Sequence, residues 1–394
     1  MTKNNHTSLG TLAVWAGEQD KKWQRATQVP VVHSVSYGYQ DVDQWQAVAL
    51  GQEVGHIYGR NTNPTVDAFS EKVRQLEGAE AATSFSTGMA AISNTLYTLL
   101  SPGDRVVSVK DTYGGTNLIF REFLPRWKVE VELCNTSDHE AIEAAIAKGC
   151  RVLYLESPTN PTLKVIDLAR LAEAGHRAGA TVIVDNTFAT PINSNPLTLG
   201  ADLVIHSATK FLGGHADALG GVVCGNAQLV EQIYHYREIN GATLHPMAAY
   251  LLLRGMKTLH LRIRQQNESA LAIACFLQSH PFVSQVFYPG LESHNHHTIA
   301  KKQMRGFGGV LSFMLKGGFD AVRELLPRLR YAHAAANLGA VETVVGPPAT
   351  TSHVECTTEE RAAMGIPESL IRYSVGIEET ADLIADLKQA LEAI

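Results

Sequence analysis

Between residues 64 and 225 the chain switches repeatedly from short β-branched apolar runs to segments with apolar residues three and four apart. Asn63 before Pro64 reads as a cap and first turn, and Val66, Phe69, Val73 and Leu76 form one helical stripe up to Gly78. Strand-like runs follow at 81–85, 105–109, 129–133, 151–155, 181–185, 203–205 and 220–223. Helices are expected between them. One carries Met89, Ile92, Leu96 and Leu99 on a single face, another is opened by a capping box over Ser137-Asp-His-Glu140, and a third covers 168–178. This alternation calls for a mainly parallel sheet with both faces covered. In such sheets ligands sit beyond the carboxyl ends of the strands.

The 394 residues exceed what one core usually serves, so more than one unit is expected. Residues 1–60 show no core of their own and read as an arm that must lie on something else. Residues 61–255 form the α/β sheet domain. Residues 256–394, with a long helix from about Lys257 to Gln278, shorter strands at 283–287, 309–314 and 370–377 and a last helix from about Thr380, form a smaller α+β domain.

Several reactive side chains fall just past the expected strand ends. Asp202-Leu-Val-Ile-His-Ser-Ala-Thr-Lys210 is an apolar strand that breaks into Ser207, Thr209 and Lys210. Hydroxyls can bond phosphate oxygens and a lysine amine can condense with an aldehyde, so the turn suits a covalently held phosphorylated cofactor, or is a solvated turn. Thr87-Gly88-Met89 stands where a strand gives way to a helix, and free backbone N–H groups there favour an anion. With Ser207, Thr209 and the cationic Arg60 it could form a phosphate cradle. Asp185 ends an apolar strand, where it is either an ordinary cap or a carboxylate in need of a cation such as a protonated pyridine nitrogen. Tyr113, in a glycine-rich turn, can stack on a ring and use its phenol as acid or base, or simply pack. Arg372, in an apolar strand, wants a carboxylate from a substrate or from the protein, with Glu342 a candidate.

Other functions are disfavoured. A net charge of −6, without a long basic run, gives no electrostatic case for nucleic acid or an anionic membrane. The five cysteines, Cys134, Cys150, Cys224, Cys275 and Cys356, form no CxxC pair, which fits a reducing cytoplasm. The N-terminus lacks a signal-like apolar core, and no apolar stretch approaches the ~18–20 residues of a membrane span. Ser293-His-Asn-His-His297 matches no metal-ligand spacing and reads as a surface loop, so no metal is expected.

Taken together the segments resemble the Cys/Met-metabolism family of pyridoxal-phosphate enzymes, of fold type I. The resemblance rests on Tyr58-Gly-Arg-Asn-Thr-Asn-Pro-Thr65, Thr87-Gly-Met-Ala-Ala91, Tyr113-Gly-Gly-Thr116, Glu156-Ser-Pro-Thr-Asn-Pro161 and Val184-Asp-Asn-Thr-Phe188. It continues through His206-Ser-Ala-Thr-Lys210, Leu252-Leu-Arg-Gly-Met-Lys-Thr-Leu259, Gly306-Phe-Gly-Gly309 and Ser374-Val-Gly-Ile-Glu378. It implies a large seven-stranded sheet domain, an N-terminal arm between subunits and a small C-terminal domain. Lys210 would hold pyridoxal 5'-phosphate as a Schiff base and shuttle protons, Asp185 would hold the ring-nitrogen proton, and Tyr113 would stack on the ring. Gly88, Met89, Ser207 and Thr209 would bind phosphate, with Tyr58 and Arg60 reaching in from a neighbouring subunit. Arg372, with Asn160 and Asn337 nearby, would grip the substrate carboxylate. A homotetramer made of two active dimers is the implied assembly.

The implied chemistry is γ-elimination or γ-substitution on a small amino acid with a heteroatom leaving group at Cγ. Elimination is favoured here, and a cystathionine γ-synthase or O-acylhomoserine sulfhydrylase is the alternative. A non-catalytic pyridoxal-phosphate-binding protein is disfavoured by the complete set of Lys210, Tyr113, Asp185 and Arg372. Four departures point to a less common substrate, such as an O-substituted homoserine or canavanine. Gly115 replaces the cysteine of methionine γ-lyases, and Asn117-Leu-Ile119 replaces a run with an arginine in cystathionine enzymes. Asn337 replaces a serine, and the entrance loop through Pro347, Pro348 and Ala349 to His353 is altered.

Overall fold

A computed structural model describes residues 7–18, 25–351, 354, 357–363 and 365–394; Met1–His6, Ser352, His353 and Cys356 lie outside the described residues. Its larger sheet is built from β1 (Ala81–Phe85), β2 (Arg105–Val109), β3 (Glu130–Cys134), β4 (Val152–Glu156), β5 (Thr181–Asp185), β6 (Leu203–Ser207) and β7 (Gly221–Gly225). The spatial order is β1-β7-β6-β5-β4-β2-β3. Only β7 runs antiparallel to its neighbours; the other pairings are parallel. The expected mainly parallel sheet is therefore present. Its central strands carry continuous apolar runs because helices cover both faces: every residue of β4 is buried. One face packs Leu96, Phe120, Tyr154 and Ile205 together, and Leu153, Ile142, Leu171 and Val182 pack in another core cluster.

Local chemistry sets the helix ends. Asn63 accepts the N–H groups of Thr65 and Val66, Pro64 opens the Pro64–Glu77 helix, and Gly78 closes it at φ 70°. The helix expected at 137–149 starts one residue later than its cap was assigned. Asp138, rather than Ser137, accepts the Ala141 N–H at 2.9 Å, since a carboxylate caps as well as a hydroxyl. Helices Ala227–Asn240 and Pro246–Met256 were not foreseen from the sequence. The first buries only Val230, Ile233 and Arg237, too thin a stripe for periodicity to reveal.

The second sheet comprises β8 (Val283–Phe287), β9 (Val310–Leu315), β10 (His333–Ala334), β11 (Val344–Gly346) and β12 (Leu370–Ser374), in the order β10-β11-β12-β9-β8. Helix Leu259–Ser279 joins the two halves physically. Its Leu259 and Ile263 pack into the core around the large sheet, while Ala270, Ile273, Ala274 and Leu277 pack under the small one.

Before residue 64 the chain divides in two. Helix Leu9–Trp15 lies on the Pro64–Glu77 helix, where Lys72 bonds the carbonyls of Ala13 and Val14 and pairs with Glu18 at 2.5 Å. Residues 31–60 add little core and leave Val42, Leu50 and Val54 exposed at 74%, 64% and 94%. The buried pair generates a prediction. Glu18→Ala strands the Lys72 ammonium beside Lys257, which Glu18 also contacts at 2.7 Å. Unfolding free energy in urea is expected to fall by about 3 kcal/mol; an unchanged midpoint and slope would refute this role.

Candidate functional site

Five strand ends of the large sheet converge on one cavity of about 270 Å³. It is lined by Thr87, Gly88 and Met89 after β1, Tyr113 after β2, and Glu156 and Asn160 at β4. Asp185 and Thr187 contribute from β5, and Ser207, Thr209 and Lys210 from β6. Arg372, from β12 of the small sheet, closes the other side. This is the carboxyl edge at which open α/β sheets bind ligands.

The anion-binding corner is set by close approach. Thr87 Oγ1 caps the Gly88–Leu99 helix by accepting the Ala90 N–H at 3.0 Å. Any Cβ on Gly88 would lie 2.7 Å from Ser207 Cβ, so glycine is required for the helix start to meet the end of β6. Ser207 is held there by its own N–H, which donates to Thr187 Oγ1 at 2.9 Å. Thr209 Oγ1 accepts the Gly220 N–H at 3.0 Å and donates back to the Gly220 carbonyl at 3.3 Å. The corner thus offers hydroxyls and helix-start N–H groups.

Asp185 is buried at the end of β5, directly opposite Glu156 in the β4–β5 register. Its Oδ1 accepts the Thr187 N–H at 3.0 Å, and Tyr154 Oη lies 3.4 Å from Oδ2. Burial raises its pKa, with the Thr187 bonds opposing. Glu156 is pushed well above the usual carboxylate range by burial and then by Asp185, although it accepts N–H bonds from Tyr113 and Asn160. Among the described residues no arginine, lysine or histidine forms an ion pair with either carboxylate.

The same cavity holds two cations. Lys210 Nζ donates to Asn337 Oδ1 at 2.8 Å, and burial followed by the charge of Arg372 brings its pKa down to about 8. Arg372 is buried, donates to Asn160 Oδ1 at 3.2 Å and to the Asn337 carbonyl at 2.9 Å, and is brought down to about 10 by burial. Behind Lys210 the buried Arg262 guanidinium gathers the carbonyls of Phe211, Leu212 and Gly255. Gly214, at φ 72°, leaves it room, since a Cβ there would fall 2.1 Å from Arg262 Nη1.

Most of the site residues expected from the sequence meet in this cavity, with one correction. Glu342 is exposed and forms no ion pair with Arg372. Register explains why: Gly346 is the partner of Arg372, and Glu342 lies four residues, about 13 Å, further along the chain. Arg60 does not join the phosphate corner of its own chain. It is exposed, stacks over Tyr58 at 5.6 Å and donates to the Glu238 carbonyl. The Ser293–His297 segment is a turn with Ser293 and Asn295 exposed, from which His296 points inward, 8% exposed and accepting the Val165 N–H at 3.3 Å. Burial and the two neighbouring histidines bring His294 down to about 4. Among the described residues no group of three or more His, Cys, Asp or Glu is arranged to hold a metal ion.

Sequence reading passed over Thr187, Arg262 and, as a functional residue, Glu156. Glu156 carried the same signal as Asp185, an acidic residue closing an apolar strand.

A family model described as Cys/Met metabolism PLP-dependent enzyme matches residues 10–392. The chain belongs to that family. It is 43% identical to the L-methionine gamma-lyase of Fusobacterium nucleatum subsp. polymorphum over 389 residues, 98% of each protein. It is 43% identical to the cystathionine gamma-lyase of Bacillus subtilis (strain 168) over 362 residues, 92% of this chain and 95% of that protein. The crystal structure of cystathionine gamma synthase from Xanthomonas oryzae pv. oryzae in complex with aminoacrylate and cysteine superposes with a TM-score of 0.93 at 38% identity, covering 98% of both chains. The chain is therefore a pyridoxal-phosphate-dependent lyase or transferase of fold type I. The cavity fits that cofactor: a buried carboxylate without a counter-cation, a hydroxyl and N–H corner for an anion, and a desolvated amine stand around one space.

Two predictions follow from the geometry. Because the neutral amine is the nucleophile, capture of pyridoxal phosphate by cofactor-free protein should accelerate about tenfold per pH unit and level off near pH 8. Arg372→Met should move that break upward, while a wild-type break near the ordinary 10.5 would contradict a desolvated Lys210. Gly88→Ala should weaken cofactor binding in equilibrium dialysis by about tenfold or more, because the new methyl displaces Ser207.

Proposed function

We propose that the chain catalyses γ-elimination from a small amino acid carrying a heteroatom leaving group at Cγ. Water is consumed, and the products are 2-oxobutyrate, ammonia and the protonated leaving group. The observation that carries the substrate reading is the charge of the cavity. Its only cations among the described lining residues are Lys210 and Arg372. Arg372 suits the α-carboxylate, so among the described lining residues no further cation is left for a second, distal carboxylate such as that of cystathionine. The remaining wall includes Ile92, Leu219, Ala336 and Leu338. Such a lining suits an O-substituted homoserine with an uncharged substituent, or canavanine, whose distal group is neutral or cationic.

Pyridoxal phosphate supplies the aldehyde that condenses with amines and the ring that withdraws electrons from Cα. Arg372, steadied by Asn160, holds the α-carboxylate and so fixes the substrate's orientation. Lys210 Nζ, neutral over an accessible pH range, would take the Cα proton, deliver it to the cofactor carbon that carried the aldehyde and, neutral again, take a Cβ proton. The Asp185 carboxylate holds a proton at the ring nitrogen, and Tyr113 Oη delivers one to the departing heteroatom. Asn337 gives Lys210 a resting partner between transfers.

The phosphate corner supports an oligomer. Among the described lining residues the hydroxyls and N–H groups of this corner have no arginine beside them but Arg372, while Tyr58 and Arg60 stand exposed in the same arm as the exposed apolar residues Val42, Leu50 and Val54. We assign Arg60 to a neighbouring subunit's phosphate, in a homotetramer of two active dimers. The sheet-bearing part would then be 61–255, with 1–60 as the arm and 256–394 as the second domain. Among the described residues no helix is long and apolar enough to cross a membrane; we place the enzyme in the cytoplasm.

The alternative is γ-substitution, as in a cystathionine γ-synthase or O-acylhomoserine sulfhydrylase. A panel of methionine, homocysteine, cystathionine, O-acylhomoserines and canavanine, run with and without thiol, separates the two. Release of 2-oxobutyrate and ammonia without thiol is the expected result. Cystathionine formed from an O-acylhomoserine and cysteine, with no oxo acid from any substrate, would overturn the elimination reading. Lys210→Ala should lose both the visible cofactor band and turnover.

A further inference from the structure

Glu156 stands at the centre of the site without a role in the chemistry just described. Its side chain is buried, and its two oxygens bond to two different segments. Oε2 accepts the N–H of Tyr113 at 2.8 Å and Oε1 accepts that of Asn160 at 3.2 Å. Tyr113 begins the short Gly114–Leu118 helix after β2, and its side chain is 43% exposed at the cavity. Asn160 lies after β4 and bonds Arg372 through its side chain. These two segments otherwise belong to separate strand ends.

We propose that Glu156 is a positioning residue that ties the Tyr113 wall to the Asn160–Arg372 end of the cavity. The distance between a ring-stacking phenol and a carboxylate-binding guanidinium is then set by one side chain and the two backbone N–H groups it accepts. A carboxylate is suited to this because both oxygens accept, whereas a glutamine offers one acceptor and turns an N–H₂ toward the other N–H. Asp185 is the register partner of Glu156 on the adjacent strand. This proposal rests on the reading of the cavity as the site of a pyridoxal-phosphate reaction.

Glu156→Gln should lower kcat/KM by about 10- to 100-fold, the cost of a misplaced catalytic wall. A rise in KM should accompany the fall in kcat, because both Tyr113 and the Asn160–Arg372 end shift. Cofactor binding to the apo protein, followed by equilibrium dialysis, should weaken several-fold as the Tyr113 ring loses its seat. The effects of Glu156→Gln and Asn160→Ala on KM should be non-additive, since one acts through the other. Ser157→Ala, which removes the acceptor of the Ile166 N–H in the same loop, serves as a control for general loosening. If Glu156→Gln lowers only thermal stability, with KM and cofactor affinity unchanged per folded holoenzyme, or if the two variants add, the proposal is wrong. Should Glu156→Gln not fold, Glu156→Asp keeps the carboxyl group but shortens the reach, and the same KM and dialysis readings decide. Wild-type protein with no cofactor band or turnover would instead count against the functional reading.

Discussion

Two buried carboxylates facing each other across adjacent parallel strands set the character of this molecule. Glu156 and Asp185 cannot turn to water, and burial raises both pKa values. Side by side in a low-dielectric interior they cannot both stay charged without help. The chain supplies that help as oriented N–H groups from Tyr113, Asn160 and Thr187. Each such bond also fixes a loop, so neutralising the carboxylates and shaping the cavity are one arrangement. What the N–H groups leave uncompensated is carboxylate charge at the cavity wall.

The positive end of the cavity is built by the opposite device. Lys210 and Arg372 are also buried, but their partners are amide and carbonyl oxygens rather than carboxylates. Neutral acceptors leave both charges available to a ligand, and the Arg372 charge helps keep Lys210 deprotonated at modest pH. Arg262 repeats the pattern behind them, holding main-chain carbonyls just past Lys210. Asn337, where relatives are expected to carry serine, touches both cations through different atoms. Its side chain reaches Nζ while its main-chain carbonyl holds Arg372, so a change at this position bears on both cations at once.

The parallel sheet, the Asn63 cap and the residues past the strand ends were legible because their signals are local. A cap needs its side chain two or three residues from the N–H it binds, and a strand end needs only the change in composition that marks it. The same locality explains why Lys210, Ser207, Gly88, Tyr113, Asn160, Asp185 and Arg372 could be read from separate short stretches. It does not explain how far apart they stand.

Distances come from register and from packing between segments remote in sequence, and there sequence reading erred or stayed silent. Glu342 and Arg372 look like partners in one small domain until Gly346 is found opposite Arg372. Glu156 looks like a strand-end acid until Asp185 is found beside it. Gly214 looks like one more loop glycine until the Arg262 guanidinium, from another helix, fills the space a Cβ would need. In each case the decisive neighbour is more than 25 residues away in sequence, so no short motif could have carried it. The cofactor chemistry is therefore the readable part of such an enzyme, since it needs residue types at strand ends. Substrate choice depends on the spacing between those ends, which long-range register sets, and Glu156 bridges two of them.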